Sequence, residues 1–220
     1  MEAETRRTAA HTGEPRWPAS LAVVAAVVLY VLLPDRLTIG PTWLLPVVEG
    51  AVLLPLSVAV RHRHAEEQYI ARLAAIGLIA LVNIANLTAL VLLVDALLHG
   101  TKAEGAQLVF AAMQIWGTNV IVFGLWYWEL DRGGPPRRLA GATRDPDFLF
   151  PQMNLPEHLT PNWRPMFVDY LYVSCTNALA FSPTDTLPLT RRAKLLMLVQ
   201  SLASMLTVAL VAARAVNILQ

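Results

Sequence analysis

The run from Phe167 to Leu219, FVDYLYVSCTNALAFSPTDTLPLTRRAKLLMLVQSLASMLTVALVAARAVNIL, decides what kind of fold this chain adopts. Its second half, Ala193 to Leu219, is apolar and long enough to cross ~30 Å of hydrocarbon, which takes about 20 helical residues. Its first half, Phe167 to Phe181, is too short to cross and contains Asp169 and Asn177. Ser182, Pro183, Thr184 and Asp185 break the two halves apart. A half-length helix before a full-length one reads as a segment that enters a bilayer and returns; a sixth crossing is the alternative.

Four further apolar stretches precede this one. They run from Pro18 to Leu33, Trp43 to Val60, Ile70 to Leu98 and Ala106 to Trp128. The second carries Pro46, Pro55 and the acid Glu49, and the fourth ends in Trp126, Tyr127 and Trp128, which read as an interfacial aromatic belt. Composition agrees: 55% of the 220 residues are apolar and only 15% charged, against about a quarter charged in an ordinary soluble domain. A net charge of +1 argues against a nucleic-acid partner. One cysteine, Cys175, rules out an internal disulfide framework and a Cys-rich metal site. The expected fold class is all-α integral membrane, with five spanning helices plus one short re-entrant segment. No leader is expected to be removed from the N-terminus, because no small-x-small exit follows the first apolar run.

Four parts follow from these breaks. Residues 1–17 form a cytoplasmic tail, 18–128 a four-helix transmembrane part, 129–165 a surface loop, and 166–220 the re-entrant segment with the last span. The loop is rich in proline, from Pro135 to Pro165, so regular helix is not expected there. It also carries Phe148, Leu149, Phe150, Met153 and Trp163, which fits a loop lying on the membrane or folded back over the bundle.

Orientation follows from the basic residues. With the N-terminus inside and the segment re-entrant, 14 of the 17 Lys and Arg face the cytoplasm, leaving Arg36, Lys102 and Arg214 outside. A sixth crossing lowers the inside count to 12. The positive-inside rule favours the re-entrant version. A bacterial inner-membrane, multi-pass location is expected.

The 53 residues from Phe167 to Leu219 resemble the pore module of two-helix potassium channels: pore helix, filter, inner helix. Asp169 and Asp185 keep the sixteen-residue spacing between that module's first acid and its filter acid, and Asp185, Pro188 and Thr190 match its Asp-x-x-Pro-x-Thr ending. The preceding spans, with Trp126-Tyr-Trp-Glu-Leu-Asp-Arg-Gly-Gly-Pro135, are similar to a family of bacterial polytopic membrane proteins without an assigned function. The resemblance implies a filter at Asn177, Phe181, Ser182, Pro183, Thr184 and Asp185, a monovalent cation as ligand, and a homotetramer. The filter itself differs: Ala180, Phe181, Ser182, Pro183 and Thr184 stand where the family has Thr-Val-Gly-Tyr-Gly. Proline fixes its own φ and restricts the residue before it, so a potassium-type carbonyl ladder is not expected. Ser182 to Asp185 also fits a helix N-cap with proline at the first position, which needs no ion.

Outside the filter, Gln200, Ser204, Thr207 and Arg214 share one face of the last span, either packing against protein or lining a pore. Asn83 and Asn86 in the third span, with Gln114, Thr118 and Asn119 in the fourth, are expected to hydrogen-bond between those two helices. Glu49 and Asp95 are the intramembrane acids, and Glu49 is the stronger functional candidate because a mid-span acid costs about 2.5–3.5 kcal/mol on insertion scales. An ion pair from Arg214 to Glu49, or failing that to Asp95, is expected. His62 and His64 have arginines beside them in a loop and are not read as metal ligands. No nucleophile–base pair is present, so no enzyme activity, cofactor or metal is expected. The leading expectation is an integral membrane protein with an ion-channel-like pore module, any ion permeation not using a standard potassium filter. The alternatives are a non-conducting membrane scaffold or partner subunit, and a small-solute or proton-coupled transporter.

Overall fold

A computed structural model describes residues 17–38, 47, 65–98, 105–139, 145–161, 163–179 and 186–218. The second apolar stretch, with Glu49, therefore lies outside the described residues apart from Val47, as do Phe181 to Asp185. The chain is mostly helical. Helix α1 spans Trp17–Val31, α2 Ala65–Leu98, α3 Gly105–Leu130, α4 Pro135–Leu139, α5 Phe167–Ala178 and α6 Arg191–Ile218. Two-residue strands β1 (Phe148–Leu149) and β2 (Leu187–Pro188) pair antiparallel. Among the described residues three helices, α2, α3 and α6, are long and apolar enough to cross a membrane.

Helix α3 is the hub, packed by α1, α2, α5 and α6. Its sequence explains why. Gly124 lets α5 approach so closely that a Cβ there would lie 3.1 Å from the Leu171 Cα, and Gly117 sits against Leu29 of α1. Helix α1 offers a face of small residues, with Ala19, Ala22 and Ala26 buried at helical spacing while Leu21, Val24 and Val28 remain exposed.

The bundle has two unlike ends. Arg72 near the start of α2 meets Glu129 at the end of α3, so these two helices run antiparallel. Arg192, at the start of α6, belongs to the same end. At the other end Arg36 bonds Gln107 in the first turn of α3, at 2.9 Å. Ala19 and Ala22 share a core with Trp128, and Tyr30 shares one with Leu108. Helices α1, α2 and α6 therefore all run from the Arg72 end to the Arg36 end.

Helix α5 has 12 residues and a length of about 18 Å, short of a span. It starts beside Trp128, whose ring lies 6.0 Å edge-on from Phe167, and runs inward parallel to α6. The chain is back at the same end by Leu187, which pairs with Leu149. The proline-rich segment folds over this end rather than standing away from it: Phe148 and Phe150 are buried against Tyr127, Tyr170 and Trp163. Within it Pro135 opens a single helical turn, a place where the missing N–H costs nothing; the expectation of no regular helix fails there.

Tyr127 also departs from expectation. Its ring is fully buried and its hydroxyl reaches α6, so it is a core residue and not part of an aromatic belt. On a helix, three consecutive residues point about 100° apart, so Trp126, Tyr127 and Trp128 cannot all face lipid.

Candidate functional site

Two hydrogen-bonded polar clusters lie in the interior of the described residues. The first is inside the bundle and centres on Gln200, which is fully buried. Its Oε1 accepts from the Tyr127 hydroxyl at 2.5 Å and from Asn177 Nδ2 at 2.9 Å. Its Nε2 donates to the Ser174 carbonyl at 2.9 Å and to Ser174 Oγ at 2.7 Å. Ser174 Oγ in turn donates to the Val120 carbonyl at 2.6 Å, and Asn177 Nδ2 also reaches the Met197 carbonyl. Ser201 Oγ closes the set on Asn177 Oδ1 at 3.1 Å. One glutamine thus ties α3, α5 and α6 together.

The same seam continues one turn deeper. Asn119 Nδ2 donates to Ser204 Oγ at 2.8 Å and is 3.4 Å from the Gln200 carbonyl. Thr207 Oγ1 donates back to the Ala203 carbonyl. The structure therefore places Asn177, Gln200, Ser204 and Thr207 of the sequence-derived set in one buried seam inside a single chain. The outward side of α6 is apolar throughout its middle, with Leu195, Leu198, Leu202, Met205 and Val208 exposed.

Among the described residues the expected amide pairing between α2 and α3 does not form. Asn119 turns to α6, and the Oδ1 atoms of Asn83, Asn86 and Asn119 are buried without a hydrogen-bond partner. Asparagines 83 and 119 lie at similar depths, about 16 and 15 Å from the Arg72–Glu129 pair at ~1.5 Å per residue. Depth alone was legible in the sequence; the helix face was not.

Arg214 and Asp95 form no ion pair with each other among the described residues. Arg214 lies in a crevice with Leu97, Leu108, Val109, Ala112, Leu210 and Val211. Leu97 is on that crevice, so Asp95, two residues back, points about 200° round the helix and outward. The pairing with Glu49 falls outside the described residues.

The second cluster closes the Arg72 end, and sequence reasoning missed it. Asp131 and Asp147 are both buried. The Asp147 N–H donates to Asp131 Oδ1 at 2.7 Å, and the Tyr170 hydroxyl donates to Asp131 Oδ2 at 2.6 Å. Asp147 itself accepts from Arg192 Nε and Nη2 at 2.7 and 2.6 Å, from Thr190 Oγ1 at 2.6 Å and from the Arg132 N–H at 3.2 Å. Burial pushes the Asp147 carboxyl up, but the bonds from Arg192 and Thr190 outweigh it and hold it below its ordinary range.

Arginines also finish helix α3. Its last carbonyls have no intrahelical partner. Arg138 Nη1 donates to the Trp128 and Asp131 carbonyls at 2.6 and 3.0 Å, and Arg72 Nη2 to the Glu129 carbonyl at 3.2 Å. The Arg138 guanidinium also lies 5.2 Å over the Tyr170 ring. The turn that brings Arg138 back uses three successive positive φ values, Arg132 at 52°, Gly133 at 84° and Gly134 at 92°. A signal was present in the sequence: Asp-Arg-Gly-Gly-Pro after an apolar run marks a helix stop with left-handed turn residues. What it could not give was the partner of Asp131.

No cluster of three or more His, Cys, Asp or Glu suited to a metal occurs among the described residues. The crevices at Val23–Val82–Val122 and at Arg214 are lined almost wholly by apolar side chains. No family model, curated protein or solved structure matches the chain.

Proposed function

We propose that this is a multi-pass membrane protein whose C-terminal hairpin is a closed structural module, acting as a non-conducting scaffold or partner subunit. One observation carries the reading. The polar residues of α6 that a pore would need, Gln200, Ser204 and Thr207, are engaged or buried within the chain, while the outward face of α6 is apolar. Four copies arranged about that outward face would line an axis with Leu, Met and Val, a poor substitute for an ion's hydration shell. Ion permeation through a homotetramer is therefore the lesser reading.

Support for the membrane itself comes from the three long apolar helices. Support for a re-entrant α5 comes from its 12-residue length and from the return of the chain to Leu187 beside Leu149. Helices α1 and α2 run the same way, which fits the four-span count of the N-terminal part. The basic residues Arg72, Arg132, Arg137, Arg138, Arg191, Arg192 and Lys194 gather at one end, which we take as cytoplasmic in a bacterial inner membrane.

A proton-coupled or small-solute transporter is the second reading, favoured by the three unpaired asparagine oxygens. The test is purified protein in liposomes with potassium, sodium and proton flux followed together with oligomeric state. The scaffold reading expects flux equal to that of protein-free vesicles. Flux that scales with protein overturns it; proton flux abolished by Glu49→Gln would select the transporter.

A further inference from the structure

The height of the folded-back segment along the bundle is fixed by its bonds. Asp147, next to β1, is held by Thr190 and Arg192 at the start of α6, so β1 and β2 stand level with the first turn of that helix. Phe148 and Phe150 meet Tyr170 edge-on, one turn into α5, which gives the same level. The spanning stretch of α6, Arg191–Arg214 in the slightly shorter reckoning of its apolar window, has 24 residues and a length of about 36 Å. On the membrane reading above, that exceeds the ~30 Å hydrocarbon layer by ~3 Å at each end, whereas each headgroup layer is ~5–8 Å thick. The segment therefore lies in the headgroup layer and not clear of it in water.

Its exposed side chains suit that layer. Leu155, Leu159, Leu187 and Leu189 are 45–61% exposed. One exposed leucine needs no explanation, but four at one end of a bundle mark a contact surface. Leu187 and Leu189 flank Pro188 of β2, and Leu159 closes a turn on the Pro156 carbonyl. Both ends of that turn are fixed to the bundle. Arg132 Nη2 donates to the Met153 sulfur at 3.3 Å, and the Trp163 ring lies 5.6 Å from that of Phe150. Met166 and Val168, also exposed, carry the apolar surface from Trp163 onto the outward side of α5. Trp17, exposed where α1 begins at this end, places an aromatic at the same level. Charge does not explain the surface. The exposed charges between residues 145 and 166 are Asp145, Glu157 and Arg164, which give no basic excess among the described residues.

We infer that the segment from Phe148 to Trp163 is a lipid-surface anchor, with Leu155 and Leu159 set among the glycerol and upper acyl carbons of the leaflet that α5 enters. The anchor rests on the membrane reading and goes beyond it by naming the contact, its depth and its chemistry. Apolar insertion holds it, so no particular headgroup is required. It covers the outer end of α5 from the lipid side, where that short helix has no spanning neighbour of its own to fix its depth.

The experiment uses the full chain in phosphatidylcholine vesicles, with Cys175→Ser as background and one cysteine at a time for a polarity-sensitive fluorophore. The positions are Leu155→Cys and Leu159→Cys, with Leu202→Cys on the exposed side of α6 as reference. All three are exposed, so the label displaces no core. Quenching by a nitroxide on the upper acyl chain is compared with quenching by aqueous iodide. At positions 155 and 159 the nitroxide lipid is expected to quench several-fold more than iodide, and exchanging part of the lipid for phosphatidylglycerol to leave that ratio unchanged. Stronger quenching by iodide places the turn in water and overturns the inference. Protection from both quenchers places it against protein, a second copy or another chain, and also overturns it. Nitroxide quenching that appears only with phosphatidylglycerol would show attachment by charge and rejects apolar insertion. Failure of the membrane reading looks different: the label at position 202 would then escape the nitroxide lipid as well.

Discussion

Arg192, in the first turn of the last helix, lays Nε and Nη2 on the two carboxylate oxygens of Asp147, 45 residues earlier, at 2.7 and 2.6 Å. The pair is lopsided in its exposure: the arginine side chain is 37% exposed and the aspartate 1%. Loss of either member is therefore not equivalent. Arg192→Gln strands a buried carboxylate and is expected to cost about 3 kcal/mol or more. Asp147→Asn leaves a guanidinium that water can reach and is expected to cost about half as much. Thermal unfolding of the two variants in one detergent checks the order. The reverse order would mean that Asp147 is held mainly by Thr190 and the Arg132 N–H.

The same carboxylate sets an acid limit. Because its folded pKa is depressed, its stabilising contribution is complete above the unfolded carboxylate value of ~3.9 and is lost as pH falls through the lower folded value. The melting temperature of the wild type is expected to hold from pH 7 to pH 5 and to fall below about pH 4, with the segment around Phe148 becoming protease-sensitive. Asp147→Asn should flatten that acid limb. An acid limb of unchanged steepness in the variant would assign it to another carboxylate.

What the sequence made legible was set by range. Apolar runs of spanning length and a run too short to span are local facts, and α1, α2, α3, α5 and α6 all fall where they were expected. The two clusters are not local. Asp131 meets Tyr170 across 39 residues and Asn119 meets Ser204 across 85, and periodicity names a helix face without naming what faces it. Tyr127 was misplaced for the same reason: an aromatic at a span's end reads as interfacial until its hydroxyl is seen to reach Gln200. The proline-rich loop was legible in the weaker sense that its aromatics needed cover, and Phe148 and Phe150 find it against Tyr127 and Tyr170.

Gly134 and Gly133 offer a matched pair of tests. Both have positive φ, at 92° and 84°, so alanine strains both. At Gly134 a Cβ would also meet the Glu129 carbonyl and Oε1 at 3.0 Å and Arg72 Nε at 3.1 Å. At Gly133 the nearest atom is the Arg137 side-chain Cδ, which can swing away. Gly134→Ala is expected to break the Arg72–Glu129 pair and destabilise by more than about 1 kcal/mol beyond Gly133→Ala. Equal melting temperatures would show that φ strain alone decides both positions.

Topology gives a direct check of the re-entrant segment. With Cys175 replaced by serine, single cysteines introduced at Arg138 and at Arg192 should react with an impermeant maleimide from the same side of the membrane. The structure brings both arginines to the end where Asp131 and Asp147 meet. Reaction from opposite sides would turn α5 into a crossing segment.

Gln200 supplies the last test, because its side chain bonds to residues on two other helices. Leucine has similar volume and no amide, so Gln200→Leu leaves the Tyr127 hydroxyl and one Asn177 donor without an acceptor and Ser174 without a donor. Each buried group so stranded costs about 1–3 kcal/mol, and the sum is expected to exceed about 3 kcal/mol. Ser204→Ala removes one bond, from Asn119, and should cost about 1 kcal/mol. The local consequence is as informative as the global one. Helix α5 is held to α3 by the Ser174–Val120 bond and the close approach at Gly124, which the variant leaves in place. It is held to α6 chiefly through Gln200, so the variant should loosen that side alone. Cys175, the single cysteine and half-buried on α5, reports the change. Its reaction with a small maleimide is expected to quicken several-fold in Gln200→Leu and to stay near the wild-type rate in Ser204→Ala, at a temperature where both remain folded. An unchanged rate in Gln200→Leu would mean that apolar packing, and not the glutamine, fixes α5 against the last helix.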